Sequence, residues 1–422
     1  MEVINKIGCI APEILLPADG TDLTKWAVIA CDQYTSEPDF WTKADALAGD
    51  EPSTLRLILP EYYLPVETEE QKEARLKAIK KTAEDYLSQG VFKKLPKGYI
   101  LTDRSTSLHP SRKGIVLALD LEAYSFKPED KALIRATEGT VLERIPPRVK
   151  IRSNSPVELP HVMLLIDDPE GNVIEKAWDK ANAAAIAPVY DTDLMQDCGH
   201  IKGVFVEEES DIASGIRDGL EAILDRSGDG LLFLVGDGNH SLASAKAYWE
   251  SVRETLSEEE KLTHPARFAL AEIVNIHDKG LDFEPIYRVV LGIKQDEFLD
   301  KLSGLLGGLK EGAAGPSEQV LKIISSDPAC DREIVISDPP HPLAVGTCDI
   351  LLGKMGLTNV DYIHGEDSLR ELSVNNTGIM LPPISKDTFF ETVARDGVFP
   401  RKTFSMGEAF EKRFYLEARK IR

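Results

Sequence analysis

The sequence predicts an α/β or mixed α+β protein, with a central mixed sheet, flanking helices and a smaller C-terminal α+β part. Two observations carry this. Short apolar runs rich in β-formers alternate with segments of helical periodicity. Hydrophobic residues make up 42% and charged residues 28% of a 422-residue chain, an ordinary globular composition long enough for two domains.

Residues 26–31 form an apolar run, read as a buried strand ending at the polar stretch Asp32-Gln33-Tyr34-Thr35-Ser36. Residues 55–59 read as a second strand, stopped by Pro60. A helix is predicted over 68–89: Thr68 and Gln71 fit a capping box, Leu76, Ile79, Ala83, Tyr86 and Leu87 recur at helical spacing, and Gly90 ends it. Strands follow at 114–121 and 161–166, the second closed by Asp167-Asp168-Pro169-Glu170-Gly171. Residues 201–206 read as a strand, then a helix to Leu224 with Ile212, Ile216, Leu220 and Ile223 on one face. The apolar strand 231–235 runs into Gly236-Asp237-Gly238-Asn239-His240, and the next helix buries Leu242, Ala245, Trp249 and Val252. Residues 267–276 form a long strand, and Phe298, Leu299, Leu302 and Leu305 mark a helix. Residues 321–325 and 333–337 read as a strand pair turning at Asp327-Pro328, before a strand at 378–381 and a helix at 386–394. The expected domains are residues 1–292, which contain the glycine-rich turn, and 293–422.

The 49 basic and 71 acidic residues give a net charge of −22, a field that repels nucleic-acid phosphates and anionic membranes alike. A small anionic metabolite, met by a local basic patch, is the expected partner. No apolar run approaches the roughly 20 residues of a membrane helix. Cys9, Cys31, Cys198, Cys330 and Cys348 are dispersed, odd in number and without a C-x-x-C, which points to a reduced cytoplasm and gives no metal-binding spacing.

The segment from Leu231 to Ser241 is the most informative in chemistry. Gly236 and Gly238 at a strand end let the backbone approach a ligand closely, and the following helix offers unpaired N–H groups to an anion. Asp237 and His240 bring acid/base or metal-binding capacity to the same point. The plainer reading has Asp237 or Asn239 capping the helix and the glycines making a tight turn. Asp32, just after a strand, is a candidate for the same cleft or a turn cap.

Residues 236–245, Gly-Asp-Gly-Asn-His-Ser-Leu-Ala-Ser-Ala, resemble the D-G-H-H-R-x-x-A-A signature of the family called domain of unknown function 1015. Residues 55–60 resemble its R-L-I-L-P segment, 114–124 its G-I-V-x-L-x-D-L-E-x-Y strand, and Glu138 and Thr140 its P-H-E-x-T. Residues 287–290 resemble its T-H-R-L-V and 378–382 its closing strand. The turn is also similar to the G-x-H-R-x-x-A helix start of the ParB and sulfiredoxin superfamily. That resemblance implies a phosphate-binding turn, a nucleotide with Mg²⁺ as cofactor, and phosphoryl transfer to a small metabolite such as serine or phosphoserine. It makes Asp237, His240 and Asp32 candidate catalytic groups and Gly236, Gly238, Asn239 and Ser241 candidate ligand-binding groups. Ser241 stands where both patterns have arginine, so it brings phosphate a hydroxyl but no charge. A non-catalytic binding or regulatory protein using the same turn is the alternative.

Residues 144–152 put Arg144, Arg148, Lys150 and Arg152 within nine positions, so Arg148 and Arg152 are candidates to clamp an anion, or else a solvated loop. Arg56, inside a predicted strand, either pairs with a buried carboxylate or reaches a ligand. The run His364-Gly365-Glu366-Asp367 reads as a loop and helix start rather than a metal cluster. His109, His161, His200 and His277 have no ligand-like spacing and receive no role. The motifs of P-loop enzymes, serine hydrolases, zinc proteases and protein kinases are absent from the sequence.

Overall fold

A computed structural model describes residues 5–422. It divides into two compact units. The first comprises the described residues up to Leu281 together with Gly407–Arg422, the second Asp282–Met406. The sequence expected one division at 292/293. The difference lies in the tail, which returns to the first unit: Phe414–Tyr415 pairs with Val28–Ile29, and Arg419–Lys420 with Val157–Glu158. Pairing across that sequence separation is set by register and leaves no local pattern to read.

The first unit is built on an 11-stranded mixed sheet. Its middle runs Phe92–Ser105, Arg112–Asp120, Phe268–Asn275, Val162–Ile166, Phe233–Asp237. Both faces are covered, so alternate residues of one strand enter two cores. Ile115, Leu117 and Leu119 pack in the cluster that holds Trp178 and Trp249, whereas Val116 joins Trp26, Trp41 and Phe414. The second unit carries a six-stranded antiparallel sheet over Phe298, Leu302, Cys348 and Leu352. Its Gln319–Ile324 and Arg332–Ile336 strands pair as predicted.

The helix Glu69–Ser88 has its Thr68–Gln71 capping box. Residues 55–59, expected as a strand, instead begin as the one-turn 3-10 helix Thr54–Arg56, because Ser53 caps Leu55 and Thr54 hydrogen-bonds the Trp26 carbonyl. The basic run is not a loop but the helix Ile145–Asn154, started by Pro146 and Pro147 in its first turn. The longest strand, Phe92–Ser105, was not read from the sequence; its lysines and internal Pro96 mask the alternation. Among the described residues no helix is long and apolar enough to cross a membrane.

Candidate active site

The glycine-rich turn closes the strand Phe233–Asp237 and opens the helix Asn239–Arg253. Gly236 sits at a register shift between Val235 and Asp237, a bulge that re-aims the chain. Gly238 has φ +81° and no side chain caps the helix it begins. A Cβ at Gly238 would come within 3.0 Å of His161 Cδ2 and of Val162 Cα, so the position needs glycine for both conformation and space. Every residue from Gly236 to Ser241 is half-buried.

Asp237 Oδ1 accepts the Gly238 N–H at 2.9 Å, and Oδ2 lies 3.1 Å from Lys412 Nζ. His240 Nε2 accepts the Val141 N–H at 3.2 Å, which fixes that nitrogen as unprotonated. The side-chain oxygen of Asn239 and the hydroxyl of Thr140, next to Val141, are buried without a hydrogen-bond partner. Unsatisfied polar atoms clustered at a half-buried turn mark a place where a ligand's own groups would complete the bonding.

Strand register explains what meets this turn. Phe233–Asp237 runs antiparallel to Val162–Ile166 with Asp237 opposite Met163, so His161 arrives beside Gly238. His161 Nε2 donates to Asp32 Oδ2 at 3.2 Å, and Nδ1 lies 2.6 Å from the Tyr415 hydroxyl. The Tyr415 oxygen also accepts the Cys31 N–H at 3.2 Å. Burial works against the imidazolium of His161, but Tyr415 and Asp32 at its two nitrogens raise its pKa well above the ordinary value. Burial likewise opposes ionisation of Asp32. The charge and hydrogen bond of His161, with Gln33 and Lys412, outweigh that and hold its carboxyl below the usual range. Burial keeps the Tyr415 phenol protonated.

Asp32 thus meets the turn through His161, whose ring also lies against Gly238. His161, Tyr415 and Lys412 were missed. His161 carried one weak signal, a titratable residue at the mouth of an all-apolar strand. Tyr415 and Lys412 sit in a tail whose pairing with Val28–Ile29 only the fold reveals.

The predicted cations fall elsewhere. Arg56 is neither in a strand nor paired with a buried carboxylate. It pairs with the exposed Asp45 and donates to the Gly49 carbonyl at 2.9 Å, closing the end of the helix Pro38–Ala48. Arg148 is ion-paired to Glu61, whose N–H donates to the Cys31 carbonyl at 2.7 Å, so it reaches the cluster only through the backbone. Arg152 Nη1 lies 2.6 Å from Glu158, which Arg419 also holds at 2.6 Å, in a buried tie between elements. Ser241 lies in the first helical turn.

Mg²⁺ fits this donor set poorly. Asp32 Oδ1 accepts from Gln33 at 2.8 Å, and the other three oxygens of Asp32 and Asp237 meet His161, Gly238 and Lys412.

Among curated proteins none matches this chain. Solved structures offer distant likenesses. A free serine kinase in complex with AMP is 11% identical, with a TM-score of 0.37 over 72% of this chain and 92% of that one. SbnI with C-terminal truncation from Staphylococcus aureus is 10% identical, with a TM-score of 0.37 over 69% and 82%. A conserved hypothetical protein from Pyrococcus furiosus is 12% identical, with a TM-score of 0.35 over 72% and 95%. TM-scores under 0.5 establish neither a shared activity nor a shared ligand. The family described as Protein of unknown function (DUF1015) matches residues 15–333, and over that majority of its length the chain belongs to it.

Proposed function

We propose that the Gly236–Ser241 turn, with Asp32, His161 and Lys412, is the site of a nucleotide-dependent phosphotransferase acting on a hydroxyl-bearing small metabolite such as serine. The carrying observation is the buried, unpartnered Asn239 oxygen at the start of an uncapped helix. The first-turn N–H groups and Lys412 suit nucleotide phosphate, and the Asn239 oxygen suits a donor such as a hydroxyl or ammonium group. In the step envisaged, the acceptor oxygen attacks the terminal phosphorus. The new O–P bond forms as the bond to the bridging oxygen breaks, and the acceptor proton passes to Asp237. Asp32 and His161 hold the turn in register.

The test is transfer of labelled terminal phosphate from a nucleotide panel to serine and related hydroxyl compounds. Asp237→Asn retains the Gly238 hydrogen bond but loses the base. Turnover is expected to fall by roughly a hundredfold or more at nearly unchanged melting temperature. Parent-like turnover in that variant would sink the assignment. A non-catalytic binding role is favoured by one observation, that Asp237 is already engaged by Gly238 and Lys412. It predicts thermal stabilisation by nucleotide without any transfer.

A further inference from the structure

We infer that Cys31 is a nucleophilic modification site, at which a thiol held against His161 and Tyr415 takes soft carbon electrophiles in preference to the other four cysteines. The inference does not depend on nucleotide binding at the turn. Cys31 Sγ lies 3.9 Å from His161 Nδ1, and the Cys31 N–H donates to the Tyr415 hydroxyl at 3.2 Å, which sets that ring beside the same residue. On the far side of the ring, Asp32 accepts from Nε2, so cysteine, imidazole and carboxylate stand in line. A positive imidazole beside the sulfur stabilises the negative charge that develops on it as it attacks a carbon electrophile.

The backbone around the sulfur is fixed. The Ala30 N–H donates to the Arg413 carbonyl at 2.8 Å, and the Cys31 carbonyl accepts from Glu61 at 2.7 Å. Cys31 itself is half-buried, so a small reagent reaches it. Asp32 opposes charge on the sulfur, but its own charge is met by His161 and Lys412.

The other thiols lack this setting. Cys9, Cys198 and Cys348 are buried, and burial pushes Cys9 and Cys348 up to about 12. Cys330 is exposed, but its sulfur lies 4.0 Å from Asp327 Oδ2, a carboxylate that repels the charge developing on an attacking sulfur. Cys330 is therefore an internal reference of greater access and poorer activation.

With iodoacetamide the balance is simple. The thiol proton leaves to solvent, the sulfur attacks the methylene carbon beside the already protonated His161 ring, a C–S bond forms as C–I breaks, and iodide leaves. The experiment is brief labelling of the whole folded chain at neutral pH, with site-resolved mass spectrometry. Cys31 is expected to react at least tenfold faster than Cys330, and His161→Gln to abolish that advantage while Cys330 keeps its rate. Tyr415→Phe, which keeps the ring, is expected to slow Cys31 several-fold. Labelling of Cys9 or Cys198 in a variant would signal unfolding, and the parent ratio then decides alone. A parent in which Cys31 reacts no faster than Cys330 overturns the inference. So does a folded His161→Gln variant with an undiminished ratio.

Discussion

Two charged clusters in the first unit share the C-terminal segment, yet differ in kind. In one, Arg413 bridges Glu272 at 3.0 Å and Glu417, and Glu272 also accepts from Thr102. Glu272 is 2% exposed and Glu417 wholly buried. In the other, His161, Asp32, Tyr415 and Lys412 edge the glycine turn, and the Asp32 side chain is 29% exposed. Buried charge with its partners present is architecture, because removing any member strands another charge in low dielectric. Charge that is paired yet reachable, beside unsatisfied polar atoms, keeps capacity for a ligand.

The sharpest way to break this contrast is Arg413→Met, which leaves Glu272 and Glu417 buried without their cation. The expected loss is about 3–5 kcal/mol of unfolding free energy by denaturant titration. A loss under about 1 kcal/mol would mean that water or protonation relieves the carboxylates, and the two clusters would no longer differ in kind.

Gly238→Ala probes the second cluster by shape alone. The left-handed backbone and the 3.0 Å approach to Val162 Cα predict a loss of about 1–3 kcal/mol. Near-neutral stability with intact ligand response would show that the turn relaxes at little cost and that the His161 contact is incidental.

The pH dependence sharpens the comparison further. Asp32, held below its ordinary range, contributes stability that is present above about 4 and lost as acid reaches its lowered folded value. His161 is raised, so its contribution is complete below about 6.5 and lost as pH rises through the raised folded value. Melting temperature measured from pH 6.5 upward should therefore fall more steeply for the parent than for His161→Gln. Parallel curves would exclude an imidazolium–carboxylate pair.

Arg56→Ala gives the smallest effect. Its partner Asp45 is exposed, so about 0–1 kcal/mol is expected, with no change in ligand response. A lost response would return Arg56 to the site.

Much of the fold was legible because it is written locally. The Thr68–Gln71 capping box and the apolar run before Gly236 announce a helix and a strand end within a few residues. The turn was legible for the same reason, since two glycines before a helical pattern admit few conformations. Asp32 stands out by its position after a short apolar run, which reads equally as a turn cap. The net charge of −22 was legible too, because it is a sum over residues and needs no fold.

What only the tertiary structure decided is everything that depends on register. His161 meets Gly238 because Asp237 lies opposite Met163, and Lys412 and Tyr415 reach Asp237 and Cys31 because Phe414 lies opposite Ile29. Slipping either pairing by one residue would turn those side chains to the opposite face. The arginines teach the converse. Arg56, Arg148 and Arg152 look like available cations in sequence, but the fold supplies each with a carboxylate contributed from elsewhere in the chain. A side chain's type is fixed by the sequence, whereas its free charge is what remains after its neighbours arrive, and long-range pairing chooses those neighbours.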